Sequence, residues 1–112
     1  MNDKLLVITK LKRTIEYLYK ILDNYPHKYI ELKNKLINSL FSMLEYAYLA
    51  NNSLDRLDNM KKCIVKLEMI DYYLKLSYKK DIISKKYYIS ISKHLIDINK
   101  LLIGWRTHEE SR

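Results

Sequence analysis

The stretch ITKLKRTIEYLYKILDNYP, residues 8–26, decides the fold. Its apolar residues Ile8, Leu11, Ile15, Leu18, Leu22 and Tyr25 recur in alternating steps of three and four. That spacing gathers side chains onto one stripe of an α-helix, the seam of a helix in a bundle. Asn2 or Asp3 can cap the start of this helix, which should run over about residues 3–24. Pro26 restricts Tyr25, ends the helix and serves as a start residue for the next one.

Working outward, three more segments show the same design. The second, about residues 27–50, is apolar over a wide arc: Leu32, Leu36, Leu40, Met43 and Ala47 make one stripe, and Ile30, Ile37, Phe41, Leu44 and Tyr48 another beside it. A helix apolar around so much of its girth is central in its fold or contacts a second protein. Asn51-Asn52-Ser53 is the next break, with Ser53 expected as N-cap and Asp55 and Asp58 favourable at the positive helix end. The third helix, about residues 54–78, places Met60, Cys63, Leu67, Ile70 and Leu74 on its seam. Asp71 interrupts a neighbouring row of Leu57, Ile64 and Tyr78, so it lies near a flank or pairs with a cation, because an unpaired buried carboxylate is costly; the flank is the preferred place. Ser84 caps the last helix, about residues 85–103, whose seam is Tyr88, Ile91, Leu95, Ile98 and Leu102, with Trp105 next in the same spacing. Gly104 suits the left-handed residue just after that helix, with Trp105 folding back and residues 106–112 forming a polar, frayed tail. Short connections between long helices give antiparallel neighbours, so the expected fold is all-α: a single up-down-up-down four-helix bundle over residues 1–105.

Composition agrees. The chain has 112 residues, 48% of them hydrophobic, with one glycine and one proline, which leaves almost no material for hairpin turns. The longest uncharged runs, residues 36–44 and 46–54, fall far short of the ~20 residues a membrane span requires. The N-terminal residues break their apolar positions with charges and lack a small-residue cleavage site, so no signal peptide is expected. Cys63 is the only cysteine, which fits a reducing cytoplasm.

Candidate chemistry is sparse. His27, His94 and His108 lie on three different segments without ligand partners at helical spacing, so neither metal nor other cofactor is expected. One glycine cannot build a phosphate-cradling loop. Cys63 falls on a seam position and reads as a small core residue. The Arg–His pair of HEPN-type helical ribonucleases has no counterpart, because Arg106-Thr107-His108 is too closely spaced. An enzyme is therefore not expected.

Charge is the best functional signal. Lys and Arg number 21 against 13 Asp and Glu, a net +8 that favours polyanionic partners. Eight lysines (Lys61, Lys62, Lys66, Lys75, Lys79, Lys80, Lys85 and Lys86) stand against Glu68, Asp71 and Asp81 in one window, a local surplus of five. Such lysines contact phosphates as point charges and give affinity without reading sequence. The plainer reading is a solvated lysine face. Tyr72-Tyr73 and Tyr87-Tyr88 bracket the window; they could stack on bases, though packing against a helix or subunit is the commoner use.

With four helices and the Tyr25-Pro26 turn in view, the chain resembles the Avd family, the accessory variability proteins of diversity-generating retroelements. The matching stretches are Tyr25-Pro26, LEMIDYYLKLS (67–77), Ile83-Ser84-Lys85-Lys86-Tyr87 and NKLLIGWR (99–106), in order from the first turn to the C-terminus. That family is related to four-helix-bundle proteins encoded in intervening sequences of 23S ribosomal RNA genes. The resemblance implies a cytoplasmic, non-catalytic partner of a reverse transcriptase in mutagenic retrohoming, assembled as a pentameric barrel that binds RNA or DNA. Lys75 falls where the family tends to carry a basic residue. The sequence departs from the family pattern at Tyr29-Ile30 and at Asp71, where basic residues are common, and at Ile103-Gly104-Trp105, where the ending is usually Gly-Gly-Trp. The alternatives are a bundle of the ribosomal-RNA-intervening-sequence type, and a homo-oligomeric scaffold with no nucleic-acid role. The apolar rows outside the seams, including Ile89, Ile96 and Ile103 on the last helix, lead us to expect self-association.

Overall fold

The computed structural model describes residues 3–52 and 54–111. Among these are four α-helices, α1 (Asp3–Leu22), α2 (Ile30–Asn52), α3 (Arg56–Lys79) and α4 (Lys85–Glu110), one short 3-10 helix (His27–Tyr29), and no strand. The seams become the interior. Leu11 and Leu18 from α1, Leu36, Leu40 and Met43 from α2, Met60, Ile70 and Leu74 from α3, and Ile91, Ile98 and Leu102 from α4 are fully buried. Each stabilises the fold by about 1.5–3 kcal/mol relative to an exposed side chain.

Side-chain pairs fix the direction of every helix. Lys10 meets Asp97, Thr14 meets His94 and Tyr17 meets Ser90, so α4 descends as α1 rises. Tyr19 touches Phe41 while Lys12 reaches Tyr48, and Tyr78 stacks on Tyr88 while Arg56 pairs with Glu109. Neighbours are therefore antiparallel in the order α1–α2–α3–α4 around the bundle, with α4 closing on α1. The bundle measures 46 × 23 × 19 Å. Among the described residues no helix is long and apolar enough to cross a membrane.

The turns set the two ends. At the first, α1 stops at Leu22, two residues short of the expected boundary, and Tyr25 and Asn24 donate back to Leu22 and Ile21. Pro26 sits at the N-cap of the 3-10 helix that leads into α2. Tyr25 is buried, and its hydroxyl donates to Ser77 Oγ at 2.7 Å, tying this turn to the end of α3. At the second turn, Asn51 and Asn52, expected as a break, continue α2, and Asp55 occupies the N-cap position of α3. The Ser53 cap and the Asn2 cap lie outside the described residues.

The third turn closes in a Schellman motif. Ile82 N–H donates to Ser77 C=O at 2.9 Å and Asp81 N–H to Tyr78 C=O at 3.0 Å. The residue between helix and strand-like exit is Asp81, with φ 57°, where glycine is the usual occupant. Ser84 then caps α4 as expected, its hydroxyl accepting from Tyr87 N–H at 3.2 Å.

The end of α4 corrects the sequence reading. Gly104 is not a left-handed terminator but a helical residue, and α4 runs through residues 106–110 instead of fraying after 103. Trp105 does not fold back; it continues the seam from Ile98 and Leu102 and is buried. A glycine inside a helix costs about 1 kcal/mol against alanine, less than the burial of an indole contributes. Arg106 pairs with Glu110 at 2.6 Å and Arg56 with Glu109 at 3.2 Å, which holds the last turns.

Candidate nucleic-acid interface

All eight lysines of the charged window lie at the surface, but the helices divide them into two groups. Lys61, Lys62 and Lys66 sit in the first half of α3, beside Tyr46 of α2. Lys75, Lys79, Lys80, Lys85 and Lys86 surround the α3–α4 turn. At 1.5 Å per residue, Lys62 and Lys79 are separated by about 25 Å along α3. A window that is continuous in sequence thus becomes two groups, whose nearest members, Lys66 and Lys75, lie about 14 Å apart along the helix.

Two of the lysines are already answered within the chain. Lys75 Nζ lies 2.9 Å from Asp71, and Lys62 Nζ lies 3.3 Å from Asp58, both one helical turn away. The carboxylate of Asp71, by hydrogen bond and charge, holds the Lys75 ammonium above its ordinary range. Asp71 itself is half-exposed at the helix flank, in the place sequence reasoning preferred. Among the described residues Lys61, Lys66, Lys79, Lys80, Lys85 and Lys86 form no ion pair.

The turn group has a further electrostatic peculiarity. Cations suit the negative C-terminus of α3, where Lys79 lies, but Lys85 and Lys86 open α4 at its positive end, and the first turn of α4 carries no acid. Nothing in the stability of α4 calls for two lysines there. An anion placed at this turn meets both the ammonium groups and the helix dipole.

The tyrosines divide as well. Tyr88 lies face to face with Tyr78, ring centroids 4.8 Å apart and planes within 2°, which locks α4 onto α3 just below the turn. Tyr73 is half-buried, whereas Tyr87, beside the turn lysines, and Tyr72 are exposed.

The remaining candidates are structural. Cys63 is buried, its thiol pushed up to about 12 by desolvation, and Sγ points at Met43 C=O at 3.5 Å. His94 packs on Tyr17 and approaches Thr14 Oγ1 at 3.4 Å. Among the described residues no group of His, Cys, Asp or Glu is arranged to hold a metal ion.

Apolar surface flanks the bundle on opposite sides. Ile89, Ile96 and Ile103 are exposed along α4, beside a groove against α3 that Tyr88, Leu95 and Asp71 help to line. Tyr19, Phe41 and Tyr48 are exposed over the α1–α2 pairing. Sequence reasoning found both helices' rows but overlooked a further row on the outer side of α3, at Val65, Met69 and Tyr72, whose signal was spacing of four and three away from the seam.

A family model described as bAvd-like matches residues 5–109. Among solved structures, the chain is similar to a protein of unknown function from the S23 ribosomal protein family of Bacteroides thetaiotaomicron. The TM-score is 0.85 at 17% identity, over 94% of this chain and 98% of that one. At that identity the likeness shows a common fold. No curated protein matches the chain.

Proposed function

Because the chain belongs to the bAvd-like family, we propose that it is a non-catalytic, nucleic-acid-binding accessory protein of a diversity-generating retroelement. In this reading it works in the cytoplasm as a homo-oligomer, a pentamer, and partners a reverse transcriptase in mutagenic retrohoming. The observation that carries the nucleic-acid part is the α3–α4 turn: Lys79, Lys80, Lys85 and Lys86 are exposed, without ion pairs among the described residues, and gathered around a turn whose one acid is Asp81. Lys75, bound to Asp71, ranks behind them, and Lys61, Lys62 and Lys66 lie in the first half of α3, away from the turn.

Self-association is supported by the opposed apolar faces. Faces on opposite sides of one protomer join head to tail, and such contacts close into a ring when the rotation permits. Light scattering should give a mass several times 13.6 kDa; a clean monomer at micromolar concentration removes this part of the reading.

Single-stranded oligonucleotide binding tests the turn. Affinity should fall with salt, with a log–log slope of about −0.7 per phosphate contact. Changing Lys79, Lys80, Lys85 and Lys86 together to glutamine should flatten that slope and weaken binding, and changing Lys61, Lys62 and Lys66 should do less. Equal losses would leave net charge as the whole explanation, and no salt-sensitive binding in the wild type would favour the scaffold. The ribosomal-RNA-intervening-sequence reading shares this fold and is separated by genomic position: a reverse transcriptase gene beside near-identical repeats supports the retroelement, a site within a ribosomal RNA gene the alternative.

A further inference from the structure

The outer side of α3 carries an apolar row of its own: Val65, Met69, Tyr72 and Leu76, at steps of four, three and four. Val65 is 56%, Met69 38% and Tyr72 57% exposed, while the seam residues Cys63, Leu67, Ile70 and Leu74 point into the core. The row faces neither the α1–α2 side nor the α4 row. At one end it opens into a depression of about 270 Å3 walled by Tyr46, Asp58, Val65, Lys61, Lys62 and Lys66. Lys62 is steered there by Asp58 at 3.3 Å and by the Tyr46 ring, 5.7 Å from its centroid.

We propose that this face docks an amphipathic α-helix of another protein, one that carries carboxylates beside its apolar row. From Val65 to Leu76 the row spans about 17 Å, three turns of a facing helix whose i, i+4, i+7 and i+11 side chains can interdigitate with it. Lys61 and Lys66, which form no ion pair among the described residues, border the row and outnumber Glu68 beside it, a positive edge that calls for acidic residues on the partner. Bases stack on aromatic rings, and in this row only Tyr72 offers one, so a nucleic acid would leave Val65, Met69 and Leu76 in water. A second copy of this chain fits poorly at its α4 row, because Lys85, Lys93 and Lys100 accompany Ile89, Ile96 and Ile103 and would confront Lys61 and Lys66. The inference stands on the α3 row and is independent of what the turn lysines bind.

The test uses the full chain and a fluorescein-labelled helical peptide of about 18 residues, long enough to cover the row. It carries leucines at i, i+4, i+7 and i+11 with glutamates beside them; one control replaces the glutamates by lysines and another scrambles the order. Fluorescence anisotropy should show the acidic peptide binding, and both controls binding at least about tenfold more weakly. The combined change Val65→Ser, Met69→Ser and Tyr72→Ser should weaken the acidic peptide by about tenfold or more, with helicity, oligomer size and oligonucleotide affinity unchanged. Lys61→Glu with Lys66→Glu, which leaves the row intact, should weaken it too and remove most of the salt dependence. Equal binding of the three peptides, or undiminished binding by both variants, overturns the proposal. So does a smaller oligomer in the serine variant, which would make the row a subunit contact, or a loss of oligonucleotide binding in it, which would give the face to nucleic acid.

Discussion

Replacing Asp81 by glycine should stabilise the protein by about 1 kcal/mol, and the components can be worked from the third turn. Asp81 holds φ at 57° so that Ile82 and Asp81 can cap the last carbonyls of α3. A residue with a Cβ in that region gives up roughly 1–2 kcal/mol relative to glycine, with aspartate toward the low end. Its carboxylate also lies at the negative end of α3, a repulsion of about 0.3–1 kcal/mol. Against these, glycine loosens the unfolded chain by about 0.4–1 kcal/mol. Among the described residues the Asp81 carboxylate makes no ion pair or hydrogen bond that would be lost. Circular-dichroism melts at fixed protein concentration should place the Asp81→Gly midpoint about 4 °C above wild type. Asp81→Ala removes the same charge but keeps the Cβ, so it should melt below the glycine variant by a similar margin. Coincident melts for the two variants would mean that the turn is not left-handed in solution. A glycine variant less stable than wild type would show the carboxylate stabilising the fold by a contact absent from this geometry. Because Asp81 is the only acid between Lys79 and Lys86, the same change should also tighten oligonucleotide binding.

Three other perturbations have clear signs. Burial raises the Tyr25 phenol above its usual range, opposed by the Ser77 hydrogen bond, so the unfolded chain ionises first and stability should fall as pH rises past 10.0; Tyr25→Phe should cost about 1 kcal/mol at neutral pH and lose that alkaline dependence, as read by urea melts at several pH values. Burial first and Lys10 second depress the His94 imidazole, with Asp97 opposing. The unfolded chain therefore takes up a proton more readily, and stability should be full above pH 6.5 and decline below it, a slope that His94→Gln should flatten unless the site is solvated in solution. Asp71→Leu should move the melting midpoint by no more than about 2 °C, since the carboxylate is half-exposed; a large loss would reveal a network around it.

The seams were legible because burial follows helical period: Ile8 to Tyr25, Met60 to Leu74 and Ile91 to Leu102 went inward as their spacing required. Ser84 was legible as a cap because its bond to Tyr87 N–H is local. What misled was local chemistry overruled by packing. Gly104 next to a polar tail has every mark of a helix end, yet Trp105 lies one seam step beyond Leu102, and its burial carries the helix through. The lysine window was legible as sequence but not as geometry, since it becomes two groups once α3 is extended between them. The partners of Lys62 and Lys75 were readable at i−4, but spacing alone does not say which ammonium groups remain free. Asp81 had no sequence mark at all, because the left-handed residue follows from where α3 stops against the core.

The three pairs that join α1 to α4 have a kinetic consequence. Lys10–Asp97, Thr14–His94 and Tyr17–Ser90 recur about one helical turn apart and link the segments most distant along the chain. Sliding α4 by one turn would leave its hydroxyls and imidazole facing the wrong partners, so the series works as a vernier that admits a single register. Chain-entropy costs favour the adjacent hairpins α1–α2, α2–α3 and α3–α4 before this closure. We therefore expect the vernier to engage late, so that Thr14→Val with Tyr17→Phe hastens unfolding more than it slows folding; chevron kinetics showing mainly slower folding would place it within the rate-limiting step instead.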